Sequence, residues 1–162
     1  MTTAVRSALL MLAGLFLLTG AGTTHARQTR DPRPFEEAVL RANADMARAA
    51  EAVDAERLFG YMLDTDKGSV IQNGMFLATR EEALQRVKAN LRGISKIVYR
   101  WKRQHVTALS AEVALLTADG ESVATTTEGQ VFTTPFAQTV VFVMREGQWK
   151  AIHAHQSSPQ VR

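Results

Sequence analysis

Near its C-terminus the chain reads EGQWKAIHAHQSSP, residues 146–159. Two histidines, two apart behind a tryptophan, could ligate a metal, relay a proton or hold a framework together. On a strand, His153 and His155 would share a face with Trp149 and Ala151, because side chains alternate. A catalytic or structural zinc-like ion needs three or four protein ligands. The other histidines are His105, near the end of a second apparent strand, and His25. No carboxylate is tied to the pair by spacing. Ligand count therefore argues against a metal site, and no cofactor is expected. One histidine should hydrogen-bond within the sheet or at a subunit contact, and the other should line a pocket. His155 is the pocket candidate. His153 and Trp149 are the structural ones.

Proton abstraction next to a carbonyl asks for more: a carboxylate base in an apolar pocket, and an oxyanion hole built from a tyrosine and a protonated acid. Tyr61 could donate into a pocket. Asp64 and Asp66 follow it in LDTDKG, which reads as a helix end and loop, where acids are normally solvated. The strand-like runs AEVALLTA and TVVFVM offer only Glu112, at a strand start. The set is incomplete, and no catalytic residue is assigned. Tyr99 and Trp101 lie two apart on a strand and share a face, with Arg100 and Lys102 on the other. Packing alone explains any one of these rings. Together, Tyr61, Tyr99 and Trp101, with His155 as polar contact, suit a pocket for a small apolar ligand. Nucleophilic catalysis has no support: the chain has no cysteine, and no serine sits in a strand-turn-helix elbow. No glycine loop suited to phosphate is present either.

These residues must be placed by a particular order of elements. In FEEAVLRANADMARAAEAV, Phe35, Val39, Ala42, Met46 and Ala50 recur at spacings of three and four, one face of a helix. Asp54 can cap a second helix, AERLFGYMLD. In SVIQNGMFL, Asn73-Gly74 predicts a tight turn between two extended pieces. Thr79 with Glu82 forms a capping box for a third helix, which Gly93 stops after about Leu91. The remainder reads as sheet: ISKIVYRWKRQHV, then AEVALLTA with turn residues Asp119-Gly120, and then a threonine-rich stretch in which Pro135 argues against a regular central strand. AQTVVFVM follows, with Glu146-Gly147 turning into QWKAIHAHQS. Helices followed by antiparallel strands make an α+β plan. EVALL and TVVFVM are apolar at consecutive positions, whereas a strand with one wet face alternates. Three helices cover one face only. The other face is expected to be covered by a second copy, giving a homodimer.

The chain has 162 residues. MTTAVR, then the uncharged SALLMLAGLFLL, then TGAGTTHA, reads as a signal peptide cleaved after Ala26. The apolar run is shorter than the roughly 20 residues a membrane-spanning helix needs, and without cysteine no lipoprotein anchor can form. Residues 27–34 read as a polar tether and residues 35–160 as one domain. The expected location is periplasmic or secreted, with no membrane association once the leader is removed. The whole chain carries +3, and without Arg6 this falls to +2. Bases are interspersed with acids, so no nucleic-acid footprint appears.

The features just described resemble the nuclear transport factor 2-like superfamily, in particular its SnoaL-like branch. The resemblance is carried by the helix pair of residues 35–63, the NG turn and the helix TREEALQRVKANL. It continues through AEVALLTADG and the ending TVVFVMREGQWKAIHAHQSSP. That ending is also similar to the association domain of calcium/calmodulin-dependent kinases. The resemblance implies a cone-shaped, curved antiparallel sheet packed on three N-terminal helices, enclosing a pocket and usually dimeric. It implies no single reaction, since isomerases, dehydratases, cyclases, binding proteins and assembly modules share the fold. The expectation is an exported, dimeric domain that binds a small molecule or a partner. The alternatives are a ketosteroid-isomerase-like isomerase or dehydratase acting on a small apolar carbonyl compound, and an assembly module.

Overall fold

The apolar stripe of the first helix is realised in α1 (Arg33–Glu51), which buries Val39, Asn43, Met46, Ala49 and Ala50. The computed structural model describes residues 33–64, 67 and 69–159. The expected leader, residues 1–26, the tether up to residue 32, and Asp66 lie outside the described residues. Arg33 and Pro34, the last two tether residues, open α1, where a proline costs no hydrogen bond. Among the described residues no helix is long and apolar enough to cross a membrane.

Asp54 caps α2 (Ala55–Gly60) by accepting from the Arg57 N–H at 2.9 Å. This helix is shorter than AERLFGYMLD suggested. From Tyr61 the chain bonds to the sheet instead: the Leu63 N–H donates to the Ala151 carbonyl at 2.8 Å, and the Ala151 N–H to that of Tyr61 at 3.0 Å. Asn73 and Gly74, with φ of 49° and 82°, join β1 (Val70–Gln72) to β2 (Met75–Leu77). Both positive angles are what a two-residue hairpin turn requires. The Thr79–Glu82 capping box opens α3 (Arg80–Leu91). The Arg80 guanidinium donates twice to the Phe59 carbonyl, at 2.9 and 2.8 Å, and so fixes α3 to the end of α2.

Four long strands follow: β3 (Ile94–Ala108), β4 (Val113–Thr126), β5 (Val131–Arg145) and β6 (Gln148–Ser157). The sheet order is β2-β1-β6-β5-β4-β3. All neighbours are antiparallel except β1, which runs parallel to β6. That pairing departs from the uniformly antiparallel expectation.

Two further readings of the strands are corrected. Asp119-Gly120 is no turn. It lies within β4, opposite a β3 bulge between Trp101 and Arg103, and a Cβ on Gly120 would stand 2.3 Å from the Arg100 carbonyl oxygen. Glycine is there because two backbones approach closely. Pro135 lies within β5, paired with Glu121 of β4. The β5–β6 ladder extends only to Ala137, so at Pro135 one side of β5 is free and the missing N–H costs nothing.

The core lies between the helices and one face of the sheet. Val39, Phe59 and Leu84 pack there with Leu116, Phe142 and Trp149. Phe35 meets Trp149 edge-on at 5.1 Å between ring centroids. Val113, Leu115 and Val141 carry the apolar character of β4 and β5 to the opposite face, where they are half-buried.

Candidate ligand-binding cavity

Which face a residue meets is decided by the register of β5 against β6. His153 pairs with Val141, but Ala151 pairs with Phe142, so Ile152 is an inserted residue. One insertion reverses the alternation of side chains. Trp149 and Ala151 therefore face the helices, with Met144 and Phe142. His153 and His155 face outward, with Val141 and Thr139. The expectation that all four share a face is corrected by this bulge. Beyond it, Ala154 and Gln156 return to the inner side with Val140 and Gln138.

Below the helices the inner face leaves a cavity of about 130 Å³. Tyr99 and Trp101 form part of its wall. They stack at 5.7 Å with 18° between planes, and each meets Phe136 edge-on, at 5.6 and 5.3 Å. The Tyr99 N–H donates to Glu51 Oε1 at 2.9 Å, so the end of α1 covers part of the β3 edge. Burial, and then the Glu51 carboxylate, hold the Tyr99 phenol above its ordinary pKa. It stays protonated at neutral pH.

The polar part of the wall is made of carboxamides. Gln138 Nε2 donates to Asn43 Oδ1 at 3.3 Å, and Gln72 Nε2 to Gln156 Oε1 at 3.0 Å. Asn43 is only 3 % exposed, and its Nδ2 has no hydrogen-bond partner. Met46, Phe59, Val140 and Ala154 supply apolar wall. The sequence reading missed these amides because it sought ionisable groups. A signal was present: Asn43 falls on the apolar stripe between Val39 and Met46, and Gln138 has the parity of Phe136 and Val140.

His155 is exposed near the end of β6 and borders the cavity. It also borders a shallow outer depression of about 360 Å³, with Arg103, His105, Asp119 and Thr139. There Arg103 donates to both Asp119 oxygens, at 2.9 and 2.8 Å, and this hydrogen bond holds the Asp119 carboxyl below its ordinary pKa. His105 and His155 end a cross-strand row through Thr117 and Thr139. Three strand spacings put them about 14 Å apart along the sheet, too far to share an ion bound at about 2 Å.

Tyr61 stands elsewhere than the sequence reading placed it. α2 stops at Gly60, and Tyr61, just after it, packs against the core rather than on the cavity. Its ring lies 5.8 Å from the Lys150 ammonium, outside the cavity wall. Asp64 is exposed after α2, and Glu112 is exposed between β3 and β4, its carbonyl accepting from the Met144 N–H at 2.8 Å.

The family profile described as the SnoaL-like domain matches residues 39–160. The chain belongs to the SnoaL-like family. No protein of curated function matches its sequence. Its fold is similar to that of a dehydratase candidate of the NTF2-like family from Streptomyces avermitilis, 23 % identical, with a TM-score of 0.70 over 81 % of this chain and all of that one. An NTF2-like superfamily protein from Salmonella enterica also gives 0.70, at 12 % identity over 81 % of this chain and 95 % of that one. A ketosteroid isomerase-like protein from Erwinia carotovora gives 0.64, at 16 % identity over 77 % and 96 %. The SnoaL-like domain therefore has the NTF2-like fold, with three helices in its N-terminal half and a curved six-stranded sheet.

Proposed function

We propose that this SnoaL-like domain binds a small molecule in the cavity between its helices and the inner face of its sheet. The observation that carries this reading is Asn43. A carboxamide with an unpartnered donor, 3 % exposed on a core helix, destabilises the empty fold. It is accounted for when a ligand supplies the acceptor.

The isomerase or dehydratase reading takes support from the descriptions of the structural neighbours. It needs a base beside the bound carbon. The described wall presents carboxamides and a protonated phenol and no carboxylate, with His155 only at its exposed border; Asp64 and Glu112 stand apart from it, so binding is the reading favoured. An assembly module would have its interior filled by its own side chains, against which the open volume of about 130 Å³ argues. Export through the N-terminal leader and pairing through the outer face belong to the same proposal. The half-buried Val113, Leu115 and Val141 support the pairing.

Backbone and side-chain amide NMR during addition of a fragment library tests the central claim. Binders should shift the Asn43 and Gln138 side-chain amides, and Ala47→Phe, which places a ring where Ala47 lines the cavity, should abolish those shifts. A library that moves no cavity resonance would overturn the reading.

A further inference from the structure

Given a ligand in the inner cavity, as proposed above, the wall restricts its chemistry in three ways. The first is size. The volume of about 130 Å³ is slightly below the roughly 150 Å³ of an engineered cavity that holds benzene. One six-membered ring with a short substituent uses up this volume, and the second ring of a fused skeleton would have to stand outside it, in the cavity's open mouth.

The second restriction is charge. The described lining contains no aspartate, glutamate, lysine or arginine. A charged group entering it would lose its hydration without gaining a counter-charge. Glu51 is tied to the Tyr99 N–H, and His155 stands exposed at the cavity's border.

The third is polarity. Asn43 Oδ1 already accepts from Gln138, while Nδ2 is buried without a partner. The open valence is a donor, and what satisfies it is an acceptor. An apolar molecule would leave that donor unsatisfied and a carbonyl oxygen would not. The stacked rings of Tyr99 and Trp101 give the rest of a flat molecule an aromatic surface, on which offset or edge-on contact is favourable.

We infer that the ligand is an uncharged, single-ring molecule carrying a carbonyl-type acceptor, bound with that oxygen on Asn43 Nδ2 and its ring against Tyr99 and Trp101.

Four probes separate these requirements: acetophenone, benzoate, ethylbenzene and 2-acetonaphthone. They are, in turn, neutral with one ring and an acceptor, charged, lacking the acceptor, and two-ringed. Affinities for the folded full-length protein come from NMR titration. Acetophenone should bind tighter than ethylbenzene by at least about tenfold, the size of one unsatisfied buried donor. It should bind tighter than benzoate by a similar factor, for the lost hydration of the charge, and tighter than 2-acetonaphthone because the second ring is left outside the cavity. In Asn43→Leu its advantage over ethylbenzene should vanish. Should that variant fail to fold, the wild-type ranking alone decides. Benzoate, ethylbenzene or 2-acetonaphthone binding as tightly as acetophenone overturns the inference. If none of the four binds while some other molecule shifts the cavity amides, the ligand class is wrong and the binding site stands. If no molecule shifts them, both fall.

Discussion

Asn43 occupies a position where the helix would gain by being apolar. It lies on the buried stripe of α1, and its side chain satisfies only one of its two polar atoms. Leucine there keeps the number of side-chain heavy atoms, adds apolar burial beside the open cavity and removes an unpaired donor. Gln138 loses an acceptor but is only partly buried, so water can replace it. Asn43→Leu should therefore stabilise the unliganded protein by about 1 kcal/mol, read from the midpoint of urea unfolding at unchanged slope. A loss of similar size would show that Nδ2 is satisfied in the folded state. A stability gain with a loss of ligand is the exchange expected of a binding residue. At this scale Tyr99 and Trp101 could be read from sequence, because a two-residue spacing on an uninterrupted stretch of strand keeps them on one face. The inward or outward direction of His153 and His155 could not. It turns on one inserted residue, Ile152, and nothing in AIHAH distinguishes a bulged strand from a regular one.

The elements themselves followed local chemistry where local chemistry decides. Asp54, the Thr79–Glu82 box and Asn73-Gly74 each act within a few residues, and each does in the fold what its type suggests. Gly120 and Pro135 misled because their roles are tertiary: one accommodates a neighbouring backbone, the other sits where a partner strand has ended. The same contrast predicts the effect of two alanines. Gly120→Ala would drive a Cβ to 2.3 Å from the Arg100 carbonyl oxygen, forcing β3 and β4 apart at the bulge. That should cost about 1–3 kcal/mol, as overpacking does. Gly60→Ala meets nothing within 4 Å at the end of α2, and should be neutral or stabilising by up to about 1 kcal/mol. Thermal unfolding of the two variants side by side checks this. Equal effects would mean that β3 yields at the bulge without cost.

At the scale of the whole molecule, the order of helices and strands was legible because three amphipathic or capped segments precede an unbroken β-rich run. The cavity was not legible, since its volume depends on how far the helices stand from the sheet. The outer face is the remaining problem. Val113, Leu115 and Val141 are half-buried there, and Leu109, just after β3, is 59 % exposed. A twofold pairing of this face with itself would place the same residues on both sides of one contact, and a stable one should bury at least about 1,000 Å². Light scattering at tens of micromolar should then give twice the chain mass. Leu115→Glu would place two carboxylates in that contact and should return the monomer mass while leaving the cavity amide resonances unmoved, because Leu115 and the cavity lie on opposite faces. A wild-type monomer would sink the pairing. So would a dimer indifferent to Leu115→Glu, since its contact would have to lie on some other surface, and the continuous apolar runs of β4 and β5 would need another explanation.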